Sequence, residues 1–92
     1  MRVSYDPVKR DRTLVERGLD FDDAEQVFSS NHLTATDDRK EYGELRYITI
    51  GHLGSRMVVI VWTPRSDSRR IVSMRKANDR EQKIYGKRLD RP

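Results

Sequence analysis

Six consecutive residues, Met57-Val58-Val59-Ile60-Val61-Trp62, are apolar without a break in a chain that is otherwise 37% charged and only 35% hydrophobic. An uninterrupted apolar run between turn signals reads as a central strand covered on both sides. The rest of the fold has to be arranged around it. A domain of 92 residues buries only a modest share of its surface, so the core is expected to be small. A shallow surface site is accordingly expected rather than an enclosed cavity. The chain has no cysteine, which removes disulfides, thiolate zinc sites and cysteine nucleophiles together. No apolar run approaches membrane-spanning length and the N-terminus lacks a signal-peptide stretch, so a cytoplasmic protein without a membrane partner is expected.

The segments around this strand read as an α+β domain. Arg2-Val3-Ser4-Tyr5 alternates as a short strand. Asp6-Pro7 opens a helix, since an aspartate accepts hydrogen bonds from free amides and proline suits the first helical position. That helix runs to about Arg17 and stops at Gly18. Asp20 caps a second short helix, in which Phe21, Ala24, Val27 and Phe28 form one core-facing stripe. Residues 29–43 read as a polar loop holding a short edge strand around Leu33-Thr34-Ala35. Leu45–Ile50 is expected to be a strand ending at the turn Gly51-His52-Leu53-Gly54. The apolar strand follows, then a turn over residues 63–68 and a last strand over Arg70–Met74. Asn78 and Glu81 resemble a capping box that starts a final helix. That helix is expected to end at Tyr85-Gly86 and leave a basic tail over residues 87–92. The order is β-α-α-β-β-β-α, read as one domain over residues 1–92. An antiparallel meander with the helices on one face is predicted, the other face staying partly open.

Charge is unevenly spread. Residues 1–64 carry 9 Lys/Arg against 11 Asp/Glu, whereas residues 65–92 carry 10 against 4. That asymmetry points to a polyanionic partner at one end of the molecule. In the last strand, alternation puts Val72 and Met74 on one face, with Ile71, Ser73 and Arg75 on the other. Arg75 then projects from the open face beside the small Ser73, where a guanidinium has room to grip a planar anion bidentately. Arg65 on the preceding turn and Arg46 at the start of an earlier strand could converge with it at one end of the sheet. Two scattered histidines, His32 in a loop and His52 in a turn, do not make a metal site. The serines lack a nucleophile elbow, and the glycines lack phosphate-loop spacing.

The ordered set Tyr5-Asp6-Pro7-x-Lys9, Gly18-x-x-Phe21, Ala24, Val27, Phe28, Gly43-Glu44-x-Arg46, Gly51, Thr63-x-Arg65, Arg70-Ile71-Val72-Ser73-Met74-Arg75-Lys76-Ala77, Glu81 and Tyr85 resembles the BrnT toxins of the RelE/ParE-like superfamily. The similarity spans nearly the whole chain. Members usually carry an Asn and then Lys-His before the glycine, where Thr13 and Glu16-Arg17 stand here. Any role of that histidine is unfilled in this chain or passes to Arg17. Members also commonly have Ala where Met74 stands.

The resemblance implies a RelE-like fold and a ribonuclease toxin that blocks translation. It further implies a cognate antitoxin of the BrnA type, a ribbon-helix-helix protein through which the pair occupies operator DNA. A ribonuclease that needs neither metal nor cofactor can make the 2′-hydroxyl of RNA attack the adjacent phosphate. The protein must then orient the phosphate, stabilise its extra charge and move two protons. Arg75, Arg65 and Arg46 are the expected catalytic residues, and Lys76, Arg69, Arg70 and Tyr85 the expected RNA contacts. Glu44, Tyr47, His52 and Tyr85 are the candidates for proton transfer. Two rival readings are a nucleic-acid-binding module without catalysis and a ParE-like toxin acting on DNA gyrase.

Overall fold

The computed structural model describes residues 2–90. In chain order the elements are β1 (Arg2–Ser4), α1 (Pro7–Arg17), a 3₁₀ turn (Phe21–Asp23), α2 (Ala24–Ser29), β2 (His32–Thr36), β3 (Tyr47–Leu53), β4 (Arg56–Pro64), β5 (Ser68–Lys76) and α3 (Asp79–Leu89). Local chemistry sets the boundaries of α1. The Asp6 carboxylate accepts the Val8 amide at 2.9 Å, and the Gly18 amide closes the far end on the Leu14 carbonyl. Asp20 caps the 3₁₀ turn, so the predicted second helix is divided into that turn and α2. At Asn78 the capping box forms in full: the Glu81 amide donates to the Asn78 side chain at 2.8 Å and the Asn78 amide to the Glu81 carboxylate at 2.9 Å.

The strands form one sheet in the order β1-β5-β4-β3-β2. The apolar run lies in β4 at its centre. β2 through β5 are antiparallel, but β1 pairs with β5 in parallel, matching Val3 to Arg69. The sheet is therefore mixed, which corrects the expectation of a pure antiparallel meander: β1 lies on the edge of β5 and runs in the same direction. The edge strand around Leu33 is longer than expected and pairs along all five of its residues. β3 continues through Gly51 and His52, which belong to the strand rather than a turn. The turn is the two-residue Gly54-Ser55, where Gly54 alone has the positive φ that a type II′ hairpin requires. Gly51 matters for space instead of φ. A Cβ there would lie 2.8 Å from Val27 Cγ1, so its missing side chain lets α2 settle on β3.

Helices cover both faces of the sheet, which corrects the one-face arrangement. On the first face Phe21, Ala24 and Val27 pack against Leu53, Val58, Ile60, Ile71 and Met74. On the second, α3 brings Leu89 and Tyr85 onto Ile50, Met57, Val59 and Ala77. The final helix reaches Leu89 because that residue is buried in this second cluster, so Lys87 and Arg88 are helical rather than part of a tail. Arg91 and Pro92 of the expected tail lie outside the described residues.

The register slips between β4 and β5, where Val61 faces Ser73 and Trp62 faces Ile71. Val72 is the extra residue of this bulge, and it reverses the alternation of β5. Ile71 consequently joins Met74 in the first cluster, while Ser73 and Arg75 share the second face, correcting the predicted grouping of Ile71 with Arg75.

Candidate functional site

Short α3 leaves part of the second face uncovered, and a groove of about 520 Å³ forms there. Its floor is Leu33, Ile48, Ile50, Val59 and Val61. Its walls carry Arg39 from the loop after β2, Ser73 and Arg75 from β5, and Glu81, Tyr85 and Arg88 from α3. Glu81, Tyr85 and Arg88 are spaced four and three residues apart, so a single face of the helix delivers all three.

Arg75 grips Glu81 with both ends of its fork, Nη1 to Oε1 at 2.8 Å and Nη2 to Oε2 at 2.9 Å. The Arg75 guanidinium and the Asn78 amide together hold the Glu81 carboxyl at about 2, against the opposing effect of burial. The same pairing raises the Arg75 guanidinium above its ordinary value, opposed by burial and by the nearby Arg39 charge. Arg39 is itself clamped on the buried Asp37, through Nε at 2.7 Å and Nη2 at 2.9 Å. Its partner carboxyl is held at about 2, chiefly by that bond. Among the described residues, the Arg88 guanidinium and the Ser73 and Tyr85 hydroxyls have no partner within the protein. The groove thus combines an apolar floor, three guanidiniums, one ionised carboxylate and two free hydroxyls.

Arg46 and Arg65 meet elsewhere. Arg65 reaches Glu44 at 3.3 Å and Arg46 reaches the same carboxylate at 3.8 Å, while the Arg46 guanidinium lies 4.1 Å over the Tyr42 ring. Arg75 does not join them. It stands opposite Val59, whereas Arg65 follows Pro64; six residue steps at ~3.3 Å each separate the two by roughly 20 Å along β4. Sequence alternation assigns a side chain to a face but says nothing about which end of a strand it occupies relative to a turn. The expected convergence of the three arginines fails for that reason.

The other expected contacts are spread out. Tyr85 lines the groove. Lys76 is exposed at the end of β5, Arg70 is half-buried opposite Ser4 and Thr63, and Arg69 lies over the rings of Phe28 and Trp62 on the first face. Arg17 donates to the Met74 carbonyl at 2.9 Å and ties α1 to the sheet. Of the proton-transfer candidates, only Tyr85 lines the groove; Glu44, Tyr47 and His52 do not. Sequence reasoning missed Arg39, Arg88 and Glu81 as site residues. The 81/85/88 spacing was a signal for the last two, obscured by placing Arg88 in a tail. No local signal marked Arg39.

Among the described residues no helix is long and apolar enough to cross a membrane. The sequence matches no curated protein significantly. Residues 5–81 match the family described as "Ribonuclease toxin, BrnT, of type II toxin-antitoxin system", in which a protein antitoxin opposes the toxin. That span runs from the end of β1 into α3 and takes in the whole sheet except its first edge strand, together with Arg75 and Glu81. The chain belongs to the BrnT family of ribonuclease toxins.

Proposed function

We propose that the protein is an endoribonuclease that cleaves single-stranded RNA in the groove between β5 and α3, without a metal ion, and thereby inhibits translation. The observation that carries this reading is the Arg75–Glu81 fork set beside the unpaired Arg88 and Tyr85 over an apolar floor. Transesterification needs cations on the non-bridging phosphate oxygens, an acceptor for the 2′-hydroxyl proton and a donor for the leaving 5′-oxygen. Arg75 and Arg88 supply the cations. Glu81 is ionised and can accept the proton, and the Tyr85 hydroxyl can donate one. The products are a 2′,3′-cyclic phosphate and a 5′-hydroxyl end, so no water is consumed in this step.

A low proton affinity makes Glu81 a poor base while Arg75 holds it. A substrate phosphate that draws the Arg75 fork away removes the main cause of that depression and strengthens the base when the 2′-hydroxyl is beside it. Arg46 and Arg65, joined across Glu44, serve as a second anchor for the RNA backbone rather than at the reacting phosphate, and Lys76 holds a flanking phosphate. The antitoxin is proposed to be a ribbon-helix-helix protein that carries the pair to operator DNA. Its inhibitory segment would combine apolar side chains for the groove floor with carboxylates for the arginines.

Arg75→Ala tests the reading. It should abolish cleavage of naked transcript in excess chelator, and with it toxicity, while circular dichroism stays that of the wild type. Arg75→Lys keeps the charge without the fork and should recover only a small part. Full cleavage by a folded Arg75→Ala protein would remove the groove from the mechanism. Binding of RNA by the wild type with no cleaved ends would leave a non-catalytic binding module.

A further inference from the structure

Three aromatic side chains of the first face gather at one place outside the groove. Tyr47 and Trp62 face each other in the β3–β4 register, their rings 4.9 Å apart and tilted by 34°. Phe28, at the end of α2, stands edge-on to Trp62 at 5.5 Å. The indole is locked in place, because its N–H donates to the buried Thr49 hydroxyl at 2.8 Å. Arg69 lies over this group, 4.1 Å from the Phe28 centroid and 5.3 Å from that of Trp62. All four side chains are half-buried, so the cluster remains in reach of solvent.

The state of Arg69 is what distinguishes it. Arg10, Arg39 and Arg75 each grip a carboxylate with two nitrogens. Arg69 has no carboxylate partner among the described residues, and its Nε is enclosed with nothing to bond. The rings hold its plane while the terminal nitrogens, which are not enclosed, keep their donors for a ligand. A guanidinium stacked on aromatic rings is still able to bind phosphate along its edge. Exposed ring faces beside such a cation accept unpaired bases of any identity.

We propose that this face is a second RNA locus, in which an unpaired base stacks on the Tyr47–Trp62 pair and its phosphate is held by Arg69. This rests on the reading of the chain as a protein that acts on RNA and extends it to the strand flanking the cut. A double helix hides its base faces, so the locus selects single strands.

Trp62 is the sole tryptophan and reports directly. The full chain is titrated with a single-stranded 2′-O-methyl oligoadenylate, which has no free 2′-hydroxyl to attack. Saturable quenching of Trp62 emission is expected, also in Arg75→Ala, and none with a 2′-O-methyl duplex. Arg69→Gln should weaken binding about tenfold, within the range for loss of one stacked contact. Tyr47→Ala should do the same and stands in if Arg69→Gln does not fold. Binding followed by anisotropy with no change in Trp62 emission, or with the affinity of folded Arg69→Gln unaltered, overturns the proposal. Quenching by the antitoxin but not by RNA also overturns it, making the rings a protein contact. Quenching without RNA cleavage would instead uphold this locus and refute the nuclease reading, whereas cleavage without quenching does the reverse.

Discussion

Replacing Glu81 by Gln separates the charge of the Arg75–Glu81 pair from its geometry. Glutamine keeps an oxygen for the Asn78 amide, so the capping box at the start of α3 survives. What is lost is the negative charge and one of the two contacts at 2.8 and 2.9 Å, with an NH₂ group now turned toward a donor. The fall of the Glu81 carboxyl from an ordinary 4.5 to about 2 would correspond to about 3 kcal/mol if it were all interaction energy. Solvent reaches 42% of the Arg75 side chain and 23% of that of Glu81, so screening reduces this to about 1–2 kcal/mol. For a domain of this size the melting temperature should drop by about 5–12 °C at pH 7. The folded-state value is depressed, so the stabilisation is complete above the ordinary value and fades as pH falls toward 2. The gap between wild type and variant should therefore close between about pH 5 and pH 2, while losses from other carboxylates affect both alike. Thermal unfolding by circular dichroism across that range is the assay. A gap that stays constant down to about pH 2.5 would refute the charge argument, and no gap at pH 7 would refute the pair's contribution altogether. In RNA assays the same variant should bind an uncleavable strand more tightly, because Arg75 is released, yet cleave more slowly, because the base is gone.

Gly51→Ala should destabilise the fold by about 1–3 kcal/mol, measured as a lower urea midpoint, since the new methyl meets the fully buried Val27 at 2.8 Å and His32 Cβ at 3.2 Å. Unchanged stability would mean that α2 can lift from β3 at no cost. Asp37→Asn should cost about 2 kcal/mol at neutral pH, because the solvent-free side chain keeps one oxygen for Arg39 but loses its negative charge and turns an NH₂ group toward the second guanidinium nitrogen. With the Asp37 carboxyl held at about 2, that deficit should shrink only in strong acid; a deficit already gone at about pH 5 would contradict the ionised state.

Local signals carried the element boundaries where a side chain bonds to its own neighbourhood. Asp6, Gly18, Asp20 and the Asn78–Glu81 box are of this kind, and each acts where it was expected. The extent of β3 and α3 was not legible in the same way. Gly51 and Gly86 look like stops in the sequence, yet tertiary contacts carry the chain through both. Gly51 continues as strand because it pairs with His32 on one side and Val58 on the other, and Gly86 stays helical because Leu89 beyond it is buried. Arg75 was legible as a candidate from its place beside Ser73, although the bulge at Val72 reassigns Ile71 to the other face.

The residues alone determined the α+β class, the central apolar strand, the helix caps and the family resemblance, because each depends on spacing or on contacts between near neighbours. Only the tertiary structure decided that β1 joins β5 in parallel, that α3 crosses the second face, and which arginines share a site. Those outcomes are set by register and by the closing of long loops, where β4 holds Arg65 and Arg75 apart while α3 brings Glu81, Tyr85 and Arg88 up to Arg75. Packing between segments distant in sequence leaves no periodic mark on any one of them, and the grouping of cations is therefore a property of the folded chain.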